Sequence, residues 1–131
     1  MKFLIVLCAV LALVQADWKT KAPEDLIKDR LECFESEKVS HHCQEQIKKG
    51  EFPHEPGCYY RCIGLKSGIW DDTNGFNIER GIASFEATGW VVEKDNLKKC
   101  TTDDQKNDDP CKWSAAIAKC LFDNKYLKRK A

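Results

Sequence analysis

The chain has 131 residues, and its 21 Lys and Arg balance 21 Asp and Glu, so that the formal net charge is zero. Without an excess of positive charge it cannot replace the counterions of a phosphate backbone, and we expect no nucleic-acid partner. Eight cysteines in so short a chain indicate a disulfide framework formed in an oxidising compartment.

The first residues are typical of a secretory signal peptide. Lys2 precedes an apolar run over residues 3–14, and Ala16 supplies a small residue for cleavage. We therefore expect a signal peptide at residues 1–16 and one mature domain at residues 17–131, secreted to the extracellular space. The apolar run is shorter than the roughly 20 residues of a membrane-spanning helix, and no later segment is a better candidate, so stable membrane insertion is not expected. One cysteine lies in the signal, which leaves an odd number and hence one free thiol.

Periodicity and capping residues predict six short helices and no strand pair, an all-α chain. The helices are expected to start at Pro23, at about Ser40, near Pro56 or Gly57, after the capping Asn77, at about Val92 and after the capping Asp109. Three of them carry an apolar stripe, formed by Ile27, Leu31 and Phe34, by Val39, Cys43 and Ile47, and by Ile78, Ile82 and Phe85. The last helix is apolar over most of its surface, which predicts a central position.

The cysteine spacing constrains the cross-links. Cys58 and Cys62 lie about one helical turn apart on one face, so each must reach a different partner. Cys111 and Cys120 differ by nine positions, which places them on opposite sides of the last helix. Six cysteines still allow fifteen connectivities, and spacing alone does not choose among them.

The order of the cysteines resembles the six-cysteine signature of insect odorant-binding proteins. The signature cysteines are Cys33, Cys58, Cys62, Cys100, Cys111 and Cys120, with gaps of three residues after the second and eight after the fifth. Further segments similar to the dipteran 99a-like and 44a-like branch of that family are Glu24-Asp25-Leu26, Glu51-Phe52-Pro53, Cys58-Tyr59-Tyr60-Arg61-Cys62 and residues 71–76.

The resemblance implies both the cross-links and the fold. The pairing it implies is Cys33 with Cys62, Cys58 with Cys111, and Cys100 with Cys120. The fold it implies is all-α, with about six short helices cross-linked by three interlocked disulfides around an apolar ligand cavity.

Two features depart from the family pattern. Cys43 is an additional cysteine, interpreted as a buried small hydrophobe with a free thiol; an intermolecular disulfide or an alternative pairing with Cys33 is the other interpretation. The tail, residues 124–131, is rich in lysine where many family members end in an apolar segment that covers the ligand. Tyr126 and Leu127 alone would make a weak lid, and we expect a solvated tail.

Known catalytic motifs were not found, and we expect neither an enzyme nor a cofactor. The sequence contains no nucleophile elbow, no HExxH helix and no phosphate-binding glycine loop. A zinc site would have to use His41, His42, Cys43 and His54. Adjacent histidines on a helix diverge by about 100°, so no metal site is expected.

The remaining function is binding in a cavity. Disulfides stabilise a fold that does not fill its core, and the resulting void, of roughly 300 to 1,000 Å³, would hold an odorant, a fatty acid or a similar small hydrophobic molecule. The predicted wall residues are Tyr59, Ile63, Ile69, Phe76, Ile82, Phe85, Trp113, Ile117 and Leu121. Tyr59 or a nearby lysine could hold a carboxylate.

The leading interpretation is thus a secreted carrier, a monomer or weak homodimer. One alternative is a salivary scavenger of host amines or eicosanoids related to the D7 proteins, which would need acidic groups in the cavity. Another is a membrane-active secreted factor that uses the lysine-rich tail. Deleting the tail would distinguish the carrier from the membrane-active factor, since a carrier keeps its ligand affinity whereas a membrane-active protein loses vesicle binding.

Overall fold

The computed structural model describes residues 18–130, which form six helices joined by short connections. The helices are α1 (Pro23–Ser36), α2 (His41–Lys48), α3 (Tyr59–Ser67), α4 (Ile78–Ala87), α5 (Lys94–Cys100) and α6 (Pro110–Asp123), with a single 3-10 turn at Asp103–Gln105. The all-α prediction is confirmed. The predicted signal peptide, residues 1–16, lies outside the described residues.

Local capping explains where several helices begin. The Ser40 hydroxyl accepts a hydrogen bond from the Cys43 amide at 3.2 Å, and the Asn77 side chain accepts one from the Arg80 amide at 3.1 Å. The Asp109 carboxylate does the same for the Cys111 amide at 2.9 Å. These contacts satisfy amides that have no partner within the helix. The sequence predicted the caps at Asn77 and Asp109, and for Ser40 it predicted only that a helix starts nearby.

The prediction of no strand pair is wrong. Two antiparallel pairs of two residues each are present: β1 (Trp70–Asp71) with β2 (Gly75–Phe76), and β3 (Trp90–Val91) with β4 (Lys128–Arg129). The Asp71 carboxylate closes the first hairpin by accepting hydrogen bonds from the Thr73 and Asn74 amides. Because Trp90–Val91 is extended, α5 begins at Lys94 rather than at about Val92.

Three disulfides connect the helices as the family resemblance implies. They join Cys33 to Cys62, Cys58 to Cys111 and Cys100 to Cys120, with Cα separations of 5.9, 4.6 and 5.6 Å. The first ties α1 to α3, the second ties the starts of α3 and α6, and the third ties α5 to α6. The two ends of α6 are therefore held by different neighbours, and each bridge is expected to contribute roughly 2 to 4 kcal/mol.

The core consists of two clusters. The larger contains Trp70, Val92, Leu97, Cys100, Trp113, Ile117 and Leu121, and the smaller contains Cys33, Phe34 and Tyr59. Helix α6 supplies three residues of the larger cluster and also packs on α3, which confirms its central position. Gly64 permits α3 to approach β1, because a Cβ there would lie 2.5 Å from the Cβ of Trp70.

The inner face of α1 is not the predicted one. Phe34 is buried, but Ile27 and Leu31 are each 53% exposed. The Cys33–Cys62 bridge turns Cys33 inward, and the residues at i−7 and i−3 from it, Leu26 and Arg30, follow it to the cavity side. Leu31 therefore lies outside the cavity wall, whereas Ile27 is half-exposed but still lines the cavity.

Both departures from the family pattern have a structural place. Cys43 is 3% exposed and makes no disulfide, as expected for a buried free thiol. The tail is not simply solvated, because Lys128–Arg129 pairs with Trp90–Val91. No helix within residues 18–130 combines the length and the apolar character needed to cross a bilayer.

Candidate ligand-binding cavity

An apolar cavity of about 190 Å³ is lined by residues of both core clusters. Its wall is contributed by α1, α2, α3, α4 and α6, by the strands β1 to β3, and by the C-terminal tail. The volume is below the 300 to 1,000 Å³ expected from the sequence and below the range typical of drug-sized ligands. The space therefore suits a compact molecule.

Seven of the nine predicted wall residues face this cavity: Tyr59, Ile63, Ile69, Phe76, Phe85, Ile117 and Leu121. Tyr59 is held by a stacking contact with Phe34, with ring centroids 5.2 Å apart. Phe76 and Phe85 stack with centroids 6.4 Å apart. Aromatic contacts of this kind hold the rings in fixed orientations, so these parts of the wall are preformed.

Ile82 and Trp113 lie outside the wall. Trp113 meets Trp70 edge to face, with centroids 4.9 Å apart, and its ring lies against Gly75 so closely that a Cβ there would come within 2.5 Å. Ile82 packs on the same cluster. The sequence placed both on apolar helix faces, but the side of the cluster that each side chain reaches depends on the tertiary packing.

The sequence analysis missed the polar part of the wall. Arg30 of α1, Tyr60 of α3 and Ser84 of α4 all contribute to it. Among the described residues, the Tyr60 hydroxyl and the Ser84 hydroxyl are buried side-chain groups without a hydrogen-bond partner. Leaving a buried polar group unpaired costs free energy, so a partner supplied by a ligand would be favourable.

Arg30 is the only charged side chain that the described part of the chain contributes to the wall. Within residues 18–130, no carboxylate lies within 4.0 Å of its guanidinium. Its neighbours on α1 are engaged, since Asp29 pairs with Lys21 at 2.7 Å and Glu32 pairs with Lys66 at 3.0 Å. The positive charge of Arg30 thus remains available to the cavity.

Burial raises the pKa of both tyrosines that interact with Arg30. Desolvation raises the pKa of Tyr59 to about 12, against an opposing effect of the Arg30 charge. Desolvation raises the pKa of Tyr60 further above its usual range, aided by Tyr59 and again opposed by Arg30. At neutral pH both phenols carry their proton, and the unpaired Tyr60 hydroxyl is a donor.

The C-terminal tail contributes to the wall through Leu127. Pairing of β3 with β4 and a hydrogen bond of 2.9 Å from the Lys130 amide to the Gly89 carbonyl hold this segment in place. Trp90 also belongs to the wall and packs on Gly50, whose positive φ of 79° and missing Cβ accommodate the ring. The tail and β3 therefore form one side of the cavity together.

Within residues 18–130, no three His, Cys, Asp or Glu side chains lie close enough to share a metal ion. His41 and His42 are exposed, whereas Cys43 is buried. The residues considered for zinc therefore do not converge.

Comparison with known proteins agrees with the cysteine framework. A model of the PBP/GOBP family matches residues 15–124. General odorant-binding protein 99a of Drosophila melanogaster is 27% identical over 127 residues, covering 93% of this chain and 89% of that protein. Odorant-binding protein 22 of Aedes aegypti is 30% identical over 128 residues, covering 95% of this chain and 91% of that protein. The chain belongs to the PBP/GOBP family, a family of non-enzymatic small-ligand carriers.

Proposed function

We propose that this protein is a secreted carrier that holds a compact hydrophobic molecule in the cavity lined by residues of both core clusters. The observation that carries the proposal is the preformed wall, in which Tyr59, Phe76, Phe85 and Ile117 surround an apolar space. Burial of apolar ligand surface contributes about 25 cal/mol per Å², from which ordering costs are subtracted. Residues 1–16 would direct the chain to the secretory pathway.

The size of the cavity favours short ligands over long ones. A volume of about 190 Å³ is better matched by a short-chain or monocyclic odorant than by a long-chain fatty acid, which would need the wall to move apart. Carriage requires no bond making, and release would follow an opening of the wall. The ligand class is thus small volatile or semi-volatile molecules of limited length.

The charge of the wall disfavours an amine scavenger. Burying an ammonium group is favourable when a carboxylate pairs with it, and the described wall has no acidic side chain. Arg30 would repel a cation in this low-dielectric space. An amine-binding function related to the D7 proteins is therefore not the one we propose.

A pair of substitutions on α6 tests the proposal. Ala118 is 8% exposed and lines the cavity, whereas Ala116, two positions earlier, does not. Ala118→Leu places three further carbon atoms in the cavity and should weaken octanol binding about tenfold in isothermal titration calorimetry, while Ala116→Leu should leave it unchanged. No measurable binding of octanol or of other small apolar molecules to the unmodified protein would refute the proposal. Equal effects of the two variants would place the ligand elsewhere.

A further inference from the structure

One end of the cavity wall combines a guanidinium and a phenol from two different helices. Arg30 lies on α1, three residues before Cys33, and Tyr60 lies on α3, two residues before Cys62. The Cys33–Cys62 bridge holds these parts of the two helices together, with the Cα atoms 5.9 Å apart. The disulfide that defines the fold therefore also fixes the relative position of Arg30 and Tyr60.

Within residues 18–130, Arg30 has no carboxylate partner and the Tyr60 hydroxyl has no hydrogen-bond partner. Arg30 is half-buried and pairs with no carboxylate of residues 18–130. The ion-paired carboxylates of α1, Asp29 and Glu32, each pair with a lysine instead. The Tyr60 hydroxyl is buried and makes no hydrogen bond within this part of the chain. Stacking on Phe52, with centroids 5.7 Å apart and planes nearly parallel at 4°, keeps the phenol from rotating away.

We propose that Arg30 and Tyr60 bind the carboxylate head of the ligand, so that the preferred ligand is a short-chain or monocyclic carboxylic acid. This inference rests on the proposed carrier function and specifies its ligand class. A carboxylate accepts two parallel hydrogen bonds from a guanidinium and a further one from a phenol, which satisfies both unpaired groups. An alcohol offers neither the charge nor the second oxygen, and an ammonium group is repelled.

The assignment differs from what the sequence suggested for this role. No lysine lies in the described wall. Tyr59 and Tyr60 both line the cavity, but the phenol with a buried, unpaired hydroxyl is Tyr60. Within residues 18–130, Ser84 is the other buried hydroxyl without a partner, but it is a neutral group on α4 and supplies no positive charge. Arg30 with Tyr60 is therefore the pair suited to an anion.

The experiment compares octanoate with octanol by isothermal titration calorimetry at neutral pH, because the two ligands share a chain and differ in the head. We expect octanoate to bind about tenfold more tightly than octanol. Arg30→Gln should abolish this preference by lowering the octanoate affinity more than the octanol affinity, and an unchanged far-UV circular dichroism spectrum would report that the variant is folded. Tyr60→Phe should reduce the preference about threefold. Lys28→Gln removes a charge from the exposed side of α1 and is the matched control, with no expected effect.

The outcomes separate this inference from the carrier function. Equal affinities of octanoate and octanol for the unmodified protein, or a preference that survives Arg30→Gln, would overturn the carboxylate assignment and leave the carrier intact. Binding of neither ligand would instead refute the carrier function itself. If Arg30→Gln does not fold, Arg30→Lys replaces it. Lysine keeps the charge but loses the bidentate geometry, so the preference for octanoate over octanol should be smaller than in the unmodified protein but not abolished. A preference as large as that of the unmodified protein would contradict the proposal.

Discussion

The guanidinium of Arg129 lies over the indole ring of Trp90, with its central carbon 4.0 Å from the ring centroid. The same two residues are register partners in the pairing of β4 with β3. Because Trp90 lines the cavity, this contact joins the basic tail to the cavity wall. The Arg129 side chain therefore contributes to the packing of this wall residue.

Removal of the tail should weaken ligand binding. A chain ending at Lys125 loses Leu127 from the wall together with the β3–β4 pairing, so octanol affinity should fall about threefold to tenfold in calorimetry. A solvated tail would have let the carrier keep its ligand affinity after truncation; the contacts of the tail predict a loss of affinity instead. A chain ending at Arg129 retains Leu127 and is the matched control.

The same truncation addresses the membrane-active alternative. Flotation with phosphatidylglycerol vesicles should show no tail-dependent binding if the tail serves the wall. Loss of vesicle binding on truncation, with octanol affinity unchanged, would contradict the role that the contacts of Arg129 and Leu127 indicate.

The hydroxyl of Ser84 should cost stability in the absence of a ligand. Ser84 is 7% exposed and its hydroxyl has no partner in the described structure, so Ser84→Ala should leave the free energy of unfolding unchanged or raise it by up to about 1 kcal/mol. The control is Ser67, equally buried, whose hydroxyl donates to the Ile63 carbonyl at 2.7 Å. Ser67→Ala should lower the free energy of unfolding by about 0.5 to 1.5 kcal/mol in urea titrations. A larger loss for Ser84→Ala than for Ser67→Ala would show that the hydroxyl of Ser84 is satisfied in solution.

Cys43 should be present as a thiol that is protected by the fold. Protein purified after secretion is expected to show three disulfides by intact mass, and one site that reacts with iodoacetamide only in denaturant, since Cys43 is 3% exposed. Cys43→Ala should remove that site and leave the three bridges unchanged. Rapid labelling of the native protein, or a disulfide-linked dimer, would contradict a buried free thiol.

The parts of the fold that the sequence predicted depend on local signals. Ser40, Asn77 and Asp109 each cap a helix through a contact with an amide two or three residues away, so the signal and the structure lie in the same short segment. The pairing of Trp90 with Arg129 joins two-residue strands that are far apart in sequence, and it leaves no periodic pattern. A two-residue strand is too short for an alternating hydrophobic pattern to predict it.

The orientation of α1 shows why the polar end of the cavity was missed. Leu26, Arg30 and Cys33 follow a helical spacing, but the charge of Arg30 makes that face look external, while Ile27 and Leu31 look internal. The Cys33–Cys62 bridge decides between the two faces. Once that pairing is taken as a constraint on α1, the inward direction of Cys33 identifies Arg30 as its neighbour one turn away.

Acid should destabilise the protein partly through Asp72. Its carboxylate accepts hydrogen bonds from the Arg61 guanidinium at 2.6 Å and from the Trp70 indole at 2.9 Å, and these two contacts hold the pKa of Asp72 below its ordinary value. A lowered pKa in the folded state means that the stabilisation is present above the unfolded value of about 3.9, and that it is lost as the pH falls below it. The loss should therefore be concentrated between about pH 5 and pH 2.

Urea titrations at pH 7 and pH 3 measure this contribution. Asp72→Asn should lose less stability between the two pH values than the unmodified protein does, because the variant has no carboxylate to protonate at this site. Arg61→Gln removes the strongest partner and should diminish the same pH-dependent part, and the double variant should show no further reduction. Glu32 and Glu79 also have a lowered pKa owing to their lysine partners, so some acid sensitivity will remain in every variant. An identical loss in Asp72→Asn and the unmodified protein would mean that the contacts with Arg61 and Trp70 do not persist in solution.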